Sequence, residues 1–152
     1  MQRTSFADMP CSIARSLDVV GEWWTFLIIR DVFNGLRRFD DLLAHLGISR
    51  NILTDRLNSL VAKGVLKRAR YQERPARYEY RLTEKGLDLL PVLLLLMRWG
   101  DKWLAGEQDA PVTVTHRDCG HQTIPTVMCS ECGQPLIAGH LHLHVNKLES
   151  AA

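Results

Sequence analysis

The sequence predicts a mostly α chain with a small β component (α+β), a winged helix-turn-helix followed by a compact β-rich appendage. Three patterns predict it. Phe39–Leu82 runs as a short helix pattern, a tight turn, a longer helix pattern and two basic strands around a proline loop. Leu87 to Trp99 follows as a helix pattern that is apolar nearly all round. Near the C-terminus, His116-Arg117-Asp118-Cys119-Gly120 and Cys129-Ser130-Glu131-Cys132-Gly133 repeat one turn pattern. A chain of 152 residues fits one domain of ordinary size and an appendage, placed at residues 1–108 and 109–152.

In chain order, residues 1–10 carry no periodicity and read as an arm. Cys11 opens a helix pattern through Ile13, Ala14 and Leu17 to Val20-Gly21. A second helix is expected from Glu22 to Asn34, with Trp23, Phe26 and Leu27 on its apolar face and Gly35 as its stop. Trp23 and Trp24 read as packing residues. Neighbours on a helix cannot both face one core, so one of them is left for a partner surface.

Phe39, Leu42, Leu43 and Leu46 give the next helix its buried stripe at i, i+3, i+4, i+7. Gly47 can turn the chain, and Ser49 suits an N-cap. The following helix buries Leu53, Leu57, Leu60 and Val61, leaving Arg50, Asn51, Thr54, Asp55 and Asn58 outward. Strands near Val65–Tyr71 and Tyr78–Leu82 flank the loop from Gln72 to Arg77, which is long enough for a wing. Thr83 then caps a helix through Leu87, Leu90, Leu94 and Met97, with Val92, Leu93, Leu96 and Trp99 on other faces and Pro91 expected to kink it. A helix this apolar outside the main core implies burial against a second chain, so a homodimer is expected.

Composition removes several classes. An apolar fraction of 46% excludes a disordered chain. The N-terminus lacks the apolar run of a signal peptide, and Leu89–Met97 is far shorter than the roughly 20 residues of a membrane span. A cytoplasmic protein with no membrane partner is expected, and in a reducing compartment four cysteines read as metal ligands or redox thiols. Net charge is +2, yet Arg37–Arg81 holds eleven Lys/Arg against five Asp/Glu, while Asp109 to the end holds two against four. A basic centre beside a helix-turn-helix pattern points to double-stranded DNA.

On that reading the Ser49–Lys63 helix enters the major groove with its N-terminal residues near base edges. Arg50 suits guanine and Asn51 adenine, with Thr54 and Asn58 further along the same face. Ser49 at the helix N-terminus suits phosphate, as do Arg37 and Arg38 ahead of the first helix, while Arg74 and Arg77 at the wing tip suit a phosphate or the minor groove. Arg56 lies on the flank, where it either contacts phosphate or pairs with Asp40 or Asp41. A dimer would set two such helices about 34 Å apart and favour a palindromic operator.

The two C-terminal turns have the form of zinc knuckles, in which a glycine lets the backbone curl round the sulfur. His116, Cys119, Cys129 and Cys132 are the expected ligands of a structural Zn2+, with His121 the runner-up for the fourth position. Strands near Val112–Thr115, Ile124–Met128 and Leu141–Val145 would complete a zinc-ribbon-like appendage, too small to fold well without metal. A redox-active Cys129/Cys132 pair competes with this reading, although no βαβ pattern precedes it. His140, His142 and His144 alternate as on a strand face, which reads as solvated rather than ligating.

Cys11 before an apolar helix, Gly21-x-Trp23-Trp24, Phe39-x-x-Leu42, Ile48-Ser49, Leu53-Thr54-x-Arg56-Leu57, Gly64-Val65-Leu66-x-Arg68, Pro75, Tyr80-x-Leu82-Thr83-x-x-Gly86, Leu89-x-Pro91-Val92-Leu93 and Trp99-Gly100 together resemble the HxlR-type bacterial transcription regulators over about residues 10–104. The resemblance implies a dimeric winged-helix DNA-binding regulator responsive to oxidants or electrophiles through a cysteine near the N-terminus, here Cys11; a repressor is expected, with a small molecule between the apolar dimer helices as the other candidate effector. Ser12 stands where that family usually has proline, and Glu22 where lysine is common. From its surroundings alone, Cys11 reads equally as a packing thiol or a sensor. An enzyme is not expected, since dinucleotide, phosphate-loop, His-Glu-x-x-His and nucleophile-elbow patterns are absent from the sequence. The remaining alternatives are a protein-binding adaptor built on wing and ribbon, and a thiol or zinc oxidoreductase.

Overall fold

Cys11 is the N-cap of α1 (Ser12–Val20), and Gly21 ends that helix by donating its N–H to the Leu17 carbonyl at 2.7 Å. The computed structural model describes residues 5, 6, 9, 11–105 and 110–144, so most of the expected N-terminal arm lies outside the described residues. The chain forms two compact units, Met1–Leu96 and Met97–Ala152.

In the first unit, α2 (Trp23–Phe33) is apolar over most of its surface, and tertiary packing selects the face. Thr25, Ile28, Ile29 and Val32 are buried at i, i+3, i+4, i+7, while Trp23 is 92% exposed and Trp24 packs at the edge of the core. The expected stripe through Trp23, Phe26 and Leu27 is therefore corrected by about half a turn. A segment that is apolar on nearly every face gives periodicity little from which to choose a side.

α3 (Phe39–Leu46) ends at Gly47, whose φ of 65° is the left-handed cap the turn needs. α4 (Arg50–Ala62) starts at Ser49, whose hydroxyl accepts from the Ile52 N–H at 3.3 Å. Leu42 from α3 and Leu53, Leu57 and Leu60 from α4 are fully buried with Ile28, Ile29, Val65 and Leu66. This core fixes the angle at which α4 presents its polar side.

β1 (Leu66–Gln72) pairs antiparallel with β2 (Arg77–Leu82) from Leu66↔Leu82 to Arg70↔Tyr78, with an irregularity at the tip between Arg70 and Gln72. A third segment joins this pair. Arg38 bridges Glu79, and the Tyr80 N–H donates to the Arg37 carbonyl at 2.7 Å. The sheet edge thus anchors the residues that lead into α3.

The expected kinked helix after the wing is instead two helices, α5 (Glu84–Leu87) and α6 (Leu90–Gly100). Pro91 falls in the first turn of α6, where a missing N–H costs nothing. Gly86 is the tight point: a Cβ there would sit 2.3 Å from the Val65 carbonyl oxygen. α6 has no buried residue, and Val92, Leu96 and Trp99 are exposed.

The second unit holds a π-helical turn (Asp101–Ala105), the pair β3 (Val114–Thr115) and β4 (Gln122–Thr123), and a bridge between Met128 and Pro135. Residues 138–140 form a 3-10 turn and 141–144 no strand, so the expected Leu141–Val145 strand is corrected over its described part. Alternating His and Leu there find no strand to pair with, and alternation alone does not make a ladder. Among the described residues, no helix is long and apolar enough to cross a membrane.

Candidate nucleic-acid interface

The core-facing leucines of α4 leave Arg50, Asn51, Thr54, Asp55 and Asn58 exposed along one side, as expected. Their local bonds differ. Arg50 donates from Nη2 to Asp40 Oδ1 at 3.3 Å and its guanidinium lies 5.1 Å from the Phe39 ring centre. The α3 N-terminus therefore orients Arg50 rather than leaving it loose. The Thr54 hydroxyl donates back to the Arg50 carbonyl at 2.8 Å. The Ser49 hydroxyl is engaged in capping, so what this helix start has to offer a phosphate is its remaining backbone N–H groups.

Arg56 is turned inward. It is 25% exposed and its Nη1 lies 3.1 Å from Glu22 Oε1, the N-cap residue of α2. The expected partners Asp40 and Asp41 are not the ones it takes, because Arg56 sits on the α2 side of α4. That pair ties α4 to the start of α2. Sequence separation hid it.

The wing is built to hold its shape. Arg70 donates to the carbonyls of Gln72 and Glu73, and Gln72 to that of Arg74, closing the tip on itself. Arg68 stacks 4.5 Å from the Tyr78 ring centre and Arg38 4.6 Å from that of Tyr71, so two cations lie along aromatic faces. Arg37, Arg74 and Arg77 are exposed and their guanidinium groups enter no ion pair among the described residues. Free cations on a rigid tip and an exposed polar helix face are the two parts that groove and backbone binding require.

Asp31 was missed by sequence reasoning. It is 1% exposed, accepts from Arg30 Nε at 2.8 Å and from His45 Nδ1 at 2.7 Å, and so links α2 to α3. Since a carboxylate only accepts, the His45 proton sits on Nδ1. The available signal was an acid next to the buried stripe of an otherwise apolar helix.

Cys11 is exposed at the N-terminal end of α1, not buried in packing. The second unit brings His116 Nδ1 to 3.4 Å from Cys119 Sγ. Cys129 is held below the usual thiol pKa by the backbone N–H groups of Cys132 and Glu131 and by the Cys132 side chain. Among the described residues, three or more His, Cys, Asp or Glu side chains do not gather into one metal-holding group. The four expected ligands are therefore not gathered into one set among the described residues.

Residues 19–108 match the HxlR-like helix-turn-helix family. The chain belongs to that family. A relative in Mycobacterium tuberculosis, described as an uncharacterized HTH-type transcriptional regulator, is 43% identical over 127 residues, covering 84% of this chain and 80% of the relative. The solved structure of PA1607, described as a candidate transcription factor, is 35% identical with a TM-score of 0.83, covering 94% of this chain and all of that one. The redox regulator HypR in its reduced form is 31% identical with a TM-score of 0.57 over 60% of this chain and 92% of its own. The HxlR-type resemblance read from the sequence is thus borne out, and this HxlR-like chain is a transcriptional regulator of the helix-turn-helix type.

Proposed function

We propose that this HxlR-like chain is a homodimeric repressor that reads a palindromic operator with paired α4 helices and responds to oxidants or electrophiles through Cys11. The observation that carries the reading is the exposed polar side of α4, from Arg50 to Asn58, beside a wing tip bearing unpaired Arg74 and Arg77. Arg50 and Asn51 face base edges, with Arg50 pre-aimed by Asp40. Arg37, Arg38, Arg74 and Arg77 neutralise phosphates. Arg56 leaves the contact set for a positioning role through Glu22.

Dimerisation rests on the apolar surface that the single chain leaves uncovered: Val92, Leu96 and Trp99 on α6, Ile13 and Leu17 on α1, and Trp23. Apolar side chains left exposed on several helices are the mark of a partner surface. A dimer seated across about two turns of DNA would exclude polymerase from the same site. For the sensor, Cys11 is accessible at the N-terminal end of α1. HypR is named a redox regulator, and its likeness to this chain supports the same class of signal.

Selection of bound sequences from random DNA, repeated with an oxidant, tests the whole reading. Arg50→Ala is expected to cost about 1–3 kcal/mol at one operator position and relax preference there, while Arg77→Ala weakens all sequences alike and lowers the salt slope by about one. Equal losses on specific and random DNA for both variants would remove these roles. Full oxidant response in Cys11→Ser would remove the sensor, and sedimentation showing only monomer would remove the dimer.

A further inference from the structure

The C-terminal unit contains one loop built twice. His116 donates its N–H to the His121 carbonyl at 3.0 Å, and Cys129 donates its own to the Gln134 carbonyl at 2.8 Å, so each loop closes as a hairpin tip at the same five-residue span. Inside each tip the glycine N–H returns to the first residue's carbonyl: Gly120 to His116 at 2.8 Å and Gly133 to Cys129 at 2.9 Å. Gly120 has φ 71° and Gly133 φ 68°, a left-handed backbone that a side chain would strain. Two loops that share no sequence except ligand-x-x-Cys-Gly thus share three backbone features.

The side chains follow the backbone. In the first tip His116 Nδ1 faces Cys119 Sγ at 3.4 Å, while His116 Nε2 lies 3.7 Å from Asp118 Oδ2. The neutral imidazole has one lone-pair nitrogen, and Nδ1 is the one that stands beside the sulfur. In the second tip Cys129 and Cys132 take the two positions that His116 and Cys119 hold in the first. The cysteines carry no disulfide.

The described residues of the unit around these tips form little core. None of its described residues is buried, and its strands are two residues long. Val112, Ile124, Val127, Met128 and Leu136 all stay exposed. A segment this poor in core needs a staple.

We propose that His116, Cys119, Cys129 and Cys132 bind one structural Zn2+, the two hairpin tips closing together on the ion. The three thiols lose their protons to solvent as the ion binds, and His116 contributes its neutral Nδ1. In the described geometry the donors stand as two pairs, so the ion's role is to draw the pairs into one tetrahedron of three sulfurs and one nitrogen. Four protein donors leave no open coordination position, which makes the site a fold element and not a reaction centre.

The test uses the full chain, purified without chelator. Metal analysis is expected to give about one zinc per chain. Cobalt replacement is expected to give sulfur-to-metal charge-transfer bands and the intense visible bands of a tetrahedral site. Cys119→Ser in one tip and Cys132→Ser in the other should each weaken metal affinity at least tenfold. His116→Asn should remove the metal where His121→Asn keeps it. The cobalt spectrum of the unmutated chain stands even if a variant misfolds. Chain isolated without zinc that also fails to take up cobalt would overturn the site. So would an unchanged cobalt spectrum in Cys119→Ser, or a Cys129–Cys132 disulfide in protein handled under reducing conditions. Loss of metal in His121→Asn alone would overturn the choice of His116.

Discussion

The winged-helix unit and the C-terminal unit are both rich in apolar residues, yet they are held in different ways. In the first, Ile28, Ile29, Leu42, Leu53, Leu57 and Val65 are wholly buried, drawn from three helices and the chain entering the wing. In the second, apolar side chains such as Ile124, Val127, Leu136 and Leu143 remain exposed, and the order visible there lies in backbone turns. Apolar content makes a core only when elements are long enough to place several such residues on one face. Helices of eight to thirteen residues do this; strands of two do not.

The contrast can be broken most directly by cutting side chains in each unit. Leu57→Ala should cost about 2–5 kcal/mol in chemical denaturation, because it removes a filled core position between helices. A cost under about 1 kcal/mol would mean that the core repacks freely and that the first unit is no better specified than the second. Asp31→Ala should follow, at about 1–3 kcal/mol, since it deletes the buried acceptor shared by Arg30 and His45. A unit held by apolar packing alone would lose much less. Ser49→Ala should cost about 1 kcal/mol through the lost cap on Ile52 and should also shift the start of α4, lowering affinity for DNA. At the small end, Leu143→Ala, at a side chain 97% exposed, should stay within about 0.5 kcal/mol. A larger loss there would show that a partner chain covers the second unit and would erase the contrast in the assembled protein.

Much of the first unit was legible because its helices are amphipathic. The stripes of α3 and α4 name their own buried faces, and Gly47 and Ser49 mark the turn between them. α2 was legible as a helix but not as a face, since nearly every residue in it is apolar and only packing chooses among them. The break at residues 88–89 was missed for a related reason. Continuous leucine hides a helix boundary, and Pro91 reads as a kink until the structure places it in a first turn.

The candidate interface divides along the same line. Which residues of α4 face outward follows from periodicity, so Arg50, Asn51, Thr54 and Asn58 could be named without coordinates. Which of them are already engaged could not. The partners of Arg50, Arg56 and Asp31 lie 10, 34 and 14 residues away in sequence, on other helices. Charge patterns within one helix carry no record of such pairs.

By itself, then, the sequence determined the order of elements, the outward side of the recognition helix, the basic wing and the two ligand-x-x-Cys-Gly turns. These depend on local periodicity, capping and backbone freedom, which a few neighbouring residues fix. Tertiary structure alone decided which side of α2 is buried, that Arg56 braces Glu22, that Asp31 bridges two helices and that residues 37–38 join the wing sheet. Those outcomes depend on which surfaces meet in space, and close packing of distant segments is what brings them together.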